Sequence, residues 1–196
     1  MANTVLTKVY NPMPFNKKEI LRYAGVKGNV PEIDAVLEEC IAETDGKLSY
    51  KVCYAESDIS HSDEGTDLGF MKTTSKDLAK NLEGCTQIIV FAATVGIELD
   101  RLIAKYSRVS PVKALIFQAI GAERIEALCD VFSEDITAYK KSKPRFSAGY
   151  GDFPLEAQKE IFAYLEPNRK IGLTLNNSLL MSPSKSVTAI IGISQE

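Results

Sequence analysis

The sequence contains no tryptophan and one histidine, His61, in 196 residues. That histidine lies in the polar stretch SDISHSDEGTD, where a catalytic triad would rest on a flexible loop, so it reads as an exposed loop residue. There is no GxGxxG and no GxxxxGK[ST], which excludes the glycine loops that cradle dinucleotide and nucleotide phosphates. HExxH and CxxC are also missing. Cys40, Cys53, Cys85 and Cys129 are too dispersed for a redox couple or a metal clamp, and each reads as a reduced packing thiol. No run of apolar residues is long enough to span a bilayer, and MANTVLTKVYNPMPF lacks the basic and apolar regions of a secretion signal. The expectation is a cytoplasmic protein with no membrane partner. Nor is there an excess of positive charge: the formal net charge is −3, so nucleic acid is not an expected partner. The nearest basic run is Lys140, Lys141, Lys143 and Arg145, whose lysines read as a solvated segment leaving a helix.

What is present is ordinary globular composition, 45% hydrophobic and 25% charged, at a length that suits one domain over residues 1–196. Asn16 can cap a short helix through Tyr23, which Gly25 to Gly28 break. A second helix starts at Asn29-Val30-Pro31, because Ile33, Val36, Leu37, Cys40 and Ile41 recur at the spacing of one buried face; Asp45-Gly46 closes it. Residues 47–55 partly alternate and read as a strand, 56–66 as a polar loop, and 68–71 as a short returning strand. Thr74-Ser75-Lys76-Asp77 opens a helix to about Leu82. The unbroken apolar run 88–93 is expected of a strand covered on both faces. Helices follow over about 97–106 and from Pro111, with Ser110 as N-cap, to about Tyr139. Pro144, Gly149, Gly151 and Pro154 keep the next segment irregular, and 155–165 returns to helix. Residues 171–175 and 186–193 are strand-like, with a turn around 182–185. Lacking a regular β-α-β alternation, the chain reads as an α+β fold with a mainly antiparallel mixed sheet and long helices.

One segment stands apart: Arg145-Phe-Ser-Ala-Gly-Tyr-Gly-Asp-Phe-Pro154. An arginine presents a planar, bidentate cation, and glycines nearby let backbone amides approach a ligand, which suits a small molecule bearing a carboxylate. On composition alone the same stretch also reads as a plain turn.

Four pieces in order extend the pattern. They are Phe91-Ala-Ala-Thr-Val-Gly-Ile-Glu-Leu-Asp100, Gln118-Ala-Ile-Gly-Ala-Glu-Arg-Ile-Glu-Ala-Leu128, Arg145-Phe-Ser-Ala-Gly-Tyr150, and Ile171-Gly-Leu-Thr-Leu175 with Met181-Ser-Pro-Ser-Lys-Ser-Val187. Across the C-terminal half the chain thereby resembles the activation domain of vitamin B12-dependent methionine synthase, Arg-x-x-x-Gly-Tyr being the most specific piece. Lys17-Lys-Glu-Ile-Leu-Arg-Tyr23 is similar to the family's short, free-standing members. The resemblance implies a domain that binds S-adenosylmethionine and holds the cobalamin of methionine synthase during repair. Co(II) cobalamin, formed by oxidation of Co(I), then needs one electron and a methyl cation equivalent, which the sulfonium provides while leaving as a thioether. The implied partners are a cobalamin-binding methionine synthase subunit and, as electron donor, flavodoxin or ferredoxin. No catalytic acid or base and no metal ligand is implied; the chain would bring methyl donor and cobalt into line.

By position, Arg145 matches the family arginine that grips the ligand carboxylate, a job for a fixed fork. Glu126 matches a glutamate near the ligand, where its charge would favour a sulfonium; its other reading is an exposed helix carboxylate. Ala148 and Gly149 would offer backbone groups, and Tyr150 would approach both ligand and cobalamin, or else be a packed core tyrosine. The longer members continue past the last strand into a segment whose paired tyrosines touch the ligand. This sequence ends at Ile193-Ser-Gln-Glu196, so that edge is expected to be open or built from another chain. The alternative reading is a module that docks a corrinoid protein without using S-adenosylmethionine. A methyltransferase with its own small substrate ranks last, since no glycine-rich β-α turn is visible.

Overall fold

The computed structural model describes residues 4–28, 30–138 and 140–194. In chain order the elements are β1 (Leu6–Tyr10), α1 (Lys17–Tyr23), α2 (Pro31–Thr44), β2 (Tyr50–Asp58), β3 (Ser60–Ser62), β4 (Gly65–Asp67), β5 (Lys72–Thr73) and α3 (Lys76–Asn81). There follow β6 (Cys85–Thr94), α4 (Glu98–Tyr106), α5 (Pro111–Thr137), β7 (Lys141–Ser142), a 3-10 turn (Leu155–Ala157), α6 (Gln158–Leu165), α7 (Pro167–Lys170), β8 (Thr174–Leu175), β9 (Met181–Ser182) and β10 (Ser186–Ser194).

Successive side chains of a strand point to opposite faces, so an unbroken apolar run is stable only when both faces are covered. The strand β6 meets that condition at the centre of a five-stranded antiparallel sheet ordered β1-β2-β6-β10-β7. On one face Ile89, Phe91 and Ala93 pack with Leu37 of α2, Leu99 of α4 and Phe132 of α5. On the other, Ile88, Val90 and Ala92 meet Leu78 of α3 and Ile161 and Leu165 of α6. Phe132 ties α5 to the sheet, its ring 4.8 Å from Phe91 and 5.4 Å from Tyr54. The architecture is the expected α+β class, with the sheet between two layers of helix and loop.

Both short-helix signals hold: the side chain of Asn16 accepts from the Glu19 amide, and that of Ser75 from the Leu78 amide. Ser110 sits at the N-cap of α5, yet its side chain makes no cap bond. Asn29 and Tyr139, expected at helix ends, lie outside the described residues, as do the last two residues.

Several boundaries differ from the sequence reading. The strand expected over 47–55 is Tyr50–Asp58, since pairing with β6 carries it into the polar residues Glu56 to Asp58. The expected loop 56–66 holds a hairpin, in which His61 on β3 pairs with Thr66 on β4 and its ring Nδ1 lies 3.1 Å from Thr66 Oγ1. Residues 68–71, expected as a strand, are loop between β4 and β5, with Leu68 buried. Only Thr174 and Leu175 of the expected strand 171–175 pair in a ladder; Ile171 and Leu173 are core residues of irregular chain. The edge strand β1 and the short helix α7 were not expected at all.

Candidate functional site

At 27 residues, α5 is the longest element, and residues at three-and-four spacing share one of its faces. Glu123, Glu126, Asp130 and Ser133 form such a row. Arg145, leaving β7, reaches onto it: Nη1 donates to Asp130 Oδ1 at 2.7 Å and Ser133 Oγ at 3.3 Å, and Nη2 donates to Glu126 Oε2 at 3.1 Å. Asn16, Glu19 and Tyr23 of the first helical segment form the opposite wall. Between the walls lies an open cleft of about 530 Å³, within the range of small-molecule sites.

That opposite wall is fastened to α5 by a buried ion pair. The guanidinium of Arg124, fully buried, donates to the Glu123 carboxylate and to the carbonyls of Met13 at 2.6 Å and Pro14 at 2.8 Å. Its central carbon, Cζ, lies 4.2 Å from the Phe15 ring centre. Glu123 Oε1 also accepts the Asn16 amide at 3.1 Å. Each buried polar group here is satisfied, as burial of charge requires.

With Glu19 engaged by Arg22 and Glu123 by Arg124, the charges left to face the cleft are Glu126, Asp130 and Arg145. Burial works against the charge on Arg145, but its bond to Asp130 and the fields of Asp130 and Glu126 outweigh it and hold its pKa above the ordinary arginine value. Such a cleft can hold a zwitterion, with carboxylates for the cationic groups and a guanidinium for the anionic one. A ligand carboxylate reaching Arg145 must displace one of its acidic partners.

Glu126 and Arg145 are thus brought together, whereas Ala148, Gly149 and Tyr150 lie elsewhere. Phe146 pairs with Ile190 of β10, and extended chain sends neighbours to opposite sides. Arg145 turns toward α5, while Phe146 and Ala148 pack on the second core cluster. The Gly149 amide donates to the Phe153 carbonyl at 2.8 Å, so it is engaged within the turn. Tyr150 is not a packed core residue: it is 70% exposed and meets Phe146 edge-to-face at 5.8 Å. It lines a separate cleft of about 490 Å³ with Lys80, Asn81 and Lys143.

Sequence reasoning missed Asp130, Ser133, Asn16, Glu19 and Tyr23. The first two carried a legible signal, their helical register with Glu126; the α1 wall had none, because only the tertiary contact of α1 with α5 brings it there. Three of the pieces singled out in the sequence also meet at one end of the sheet. Asp100 accepts the Ser184 amide at 3.0 Å and its hydroxyl, Lys185 Nζ donates to Gln118 Oε1 at 2.5 Å, and Ser186 donates to Thr94 at 2.8 Å. Gly121 leaves room for the Lys185 stem, since a Cβ there would lie 2.6 Å from its nearest carbon. Among the described residues, no group of three or more His, Cys, Asp and Glu side chains is placed to hold a metal ion. No described helix is long and apolar enough to cross a membrane.

No protein-family model matches the chain, and no curated protein matches it in sequence. In structure it is similar to the MetH reactivation domain, whose crystal structure has AdoHcy bound. The TM-score is 0.67 at 16% identity, over 96% of this chain and 78% of that one. At that identity the likeness is one of fold: the chain has the fold of the MetH reactivation domain.

Proposed function

We propose that this chain is a cytoplasmic, single-domain, S-adenosylmethionine-binding reactivation subunit that supports reductive methylation of cob(II)alamin on a separate cobalamin-dependent methionine synthase. Flavodoxin or ferredoxin would deliver the electron. The observation that carries the reading is the shared fold, which follows a domain crystallised with AdoHcy over 96% of this chain. The donor set of the α5 cleft fits the ligand. S-adenosylmethionine supplies a methyl group on a sulfonium, which the corrinoid of the partner accepts. Glu126 and Asp130 favour that sulfonium over the neutral thioether of the product, and attract the ammonium that both carry. Arg145 takes the ligand carboxylate in exchange for one of its acidic partners, a swap between charge-assisted bonds of similar kind. Ala148 and Gly149 offer backbone groups within the turn that carries Tyr150, whose exposed ring faces the partner's corrinoid. The chain needs no acid or base of its own, because its work is orientation.

Calorimetric titration with S-adenosylmethionine, alone and with a cobalamin-loaded methionine synthase subunit, tests this. Heat is expected in at least one arrangement, and its absence from both would overturn the reading. The hydrogen bonds that already occupy Arg145 favour a second reading, a docking module that clamps a corrinoid protein without S-adenosylmethionine. Capture of that protein undiminished by Arg145→Ala but lost in Tyr150→Ala would select it.

A further inference from the structure

Tyr150 joins a ring left 70% exposed to a backbone hydrogen-bonded through both its amide and its carbonyl. Its own amide donates to the Ser147 carbonyl at 3.1 Å, and its carbonyl accepts the Phe153 amide at 3.0 Å. Phe153 is 1% exposed and anchors the turn in the second core cluster. Between them stands Asp152. One of its carboxylate oxygens accepts the Ser75 hydroxyl and the Asp77 amide, the latter at 3.1 Å, and the other accepts the Lys76 amide at 2.8 Å. It therefore caps the first turn of α3, where backbone donors have no partner within the helix. The arrangement is reciprocal, since the Asp77 carboxylate accepts the Asp152 amide at 3.2 Å. Gly151 makes this approach possible: at φ +54 a Cβ would fall 2.2 Å from Asp77 Oδ2. The Ser75 hydroxyl first, then the α3 amides, hold the Asp152 carboxyl below the usual aspartate range, so it is ionised at neutral pH. Asp152 does not itself line the cleft beside Tyr150.

We infer that Asp152 is the positioning residue for Tyr150: seated on the amino end of α3, its carboxylate sets the turn 147–153 so that the tyrosine ring stands over the cleft it forms with Lys80, Asn81 and Lys143. The inference rests on the proposed function in one respect, that Tyr150 faces the ligand or the corrinoid partner. The fastening does not depend on it. A locked turn beneath an exposed ring is what precise presentation requires, because a site is only as ordered as the groups supporting it.

Amide hydrogen exchange on the full chain at neutral pH tests the fastening. In Asp152→Ala the amides of Gly149, Tyr150 and Phe153 should exchange at least about tenfold faster, with β6 and α5 unchanged, as expected for local opening. Asp152→Asn keeps an acceptor without the charge and should fall between; turn amides unchanged in both variants would overturn the inference. A double-mutant cycle tests the route of action, titrating the cobalamin-loaded subunit, with S-adenosylmethionine present, into wild type, Tyr150→Ala, Asp152→Ala and the double variant. If Asp152 acts through Tyr150, each single change weakens binding by about tenfold and the double change no further, whereas independent sites would add. Additive losses, or an Asp152→Ala protein that binds like wild type, would also overturn it. A wild type that gives no heat would instead sink the proposed function, and exchange would still decide whether Asp152 holds the turn.

Discussion

Two arginines, twenty-one positions apart in sequence, meet carboxylates of α5, Arg124 from within the helix and Arg145 from the segment after β7. Arg145 keeps a quarter of its side chain exposed and bridges Asp130 and Glu126, so it can exchange a partner for a ligand. Arg145→Ala should weaken S-adenosylmethionine binding by ~1.5–3 kcal/mol, the usual worth of a hydrogen bond to a charged group, read by titration calorimetry. Arg145→Lys should recover little of it, since a single ammonium cannot reproduce the planar fork. Arg124 has no such freedom. Removing it as Arg124→Met leaves the Glu123 carboxylate buried without its cation, and urea unfolding should show a loss of about 3–5 kcal/mol. The difference was half legible in the sequence. Arg145 stood out beside its glycines, whereas Glu123-Arg124 reads as an ordinary charged pair on a helix until the carbonyls of Met13 and Pro14 are seen against it.

Elements were legible where a local signal and a buried face coincide. Asn16 with Glu19, Ser75 with Leu78, and the unbroken apolar run of β6 each supplied both. The hairpin of exposed β3 and half-buried β4 supplied neither, because a ribbon of polar residues has no apolar face to betray its period. The strand β1 is half exposed at the sheet edge and was equally silent. Of the candidate site, the sequence could reveal the row on α5 but not its separation from Tyr150, which follows from how Phe146 pairs with β10. The short helix α1 forms the outer wall of the cleft, and its cap is its main local support. Asn16→Ala should cost about 1 kcal/mol in chemical denaturation and should also weaken S-adenosylmethionine binding, since Glu19 and Tyr23 ride on that helix.

For the whole molecule, acid should be the most telling stress. Hydrogen bonds from Lys105 and Tyr106 hold Glu43 below its usual range, those from Lys8 and Tyr10 do the same for Asp135, and Asp152 is held down by its cap. A carboxyl with a lowered folded pKa stabilises the fold above its unfolded value and loses that contribution as pH falls through the folded one. The urea midpoint should therefore hold steady across neutral pH and drop below about pH 5, where unfolded carboxylates begin to protonate. An unchanged midpoint between pH 6 and pH 3 would contradict this. At the same scale, the handedness of one short link matters more than its composition. Because Arg145 and Phe146 face opposite ways, inserting or deleting a single residue just ahead of them would swap a cation into the oily side and an aromatic ring into the acidic one. Chain length at this point is therefore as strict a requirement as any side chain, and a one-residue frame slip there should abolish both clefts at once.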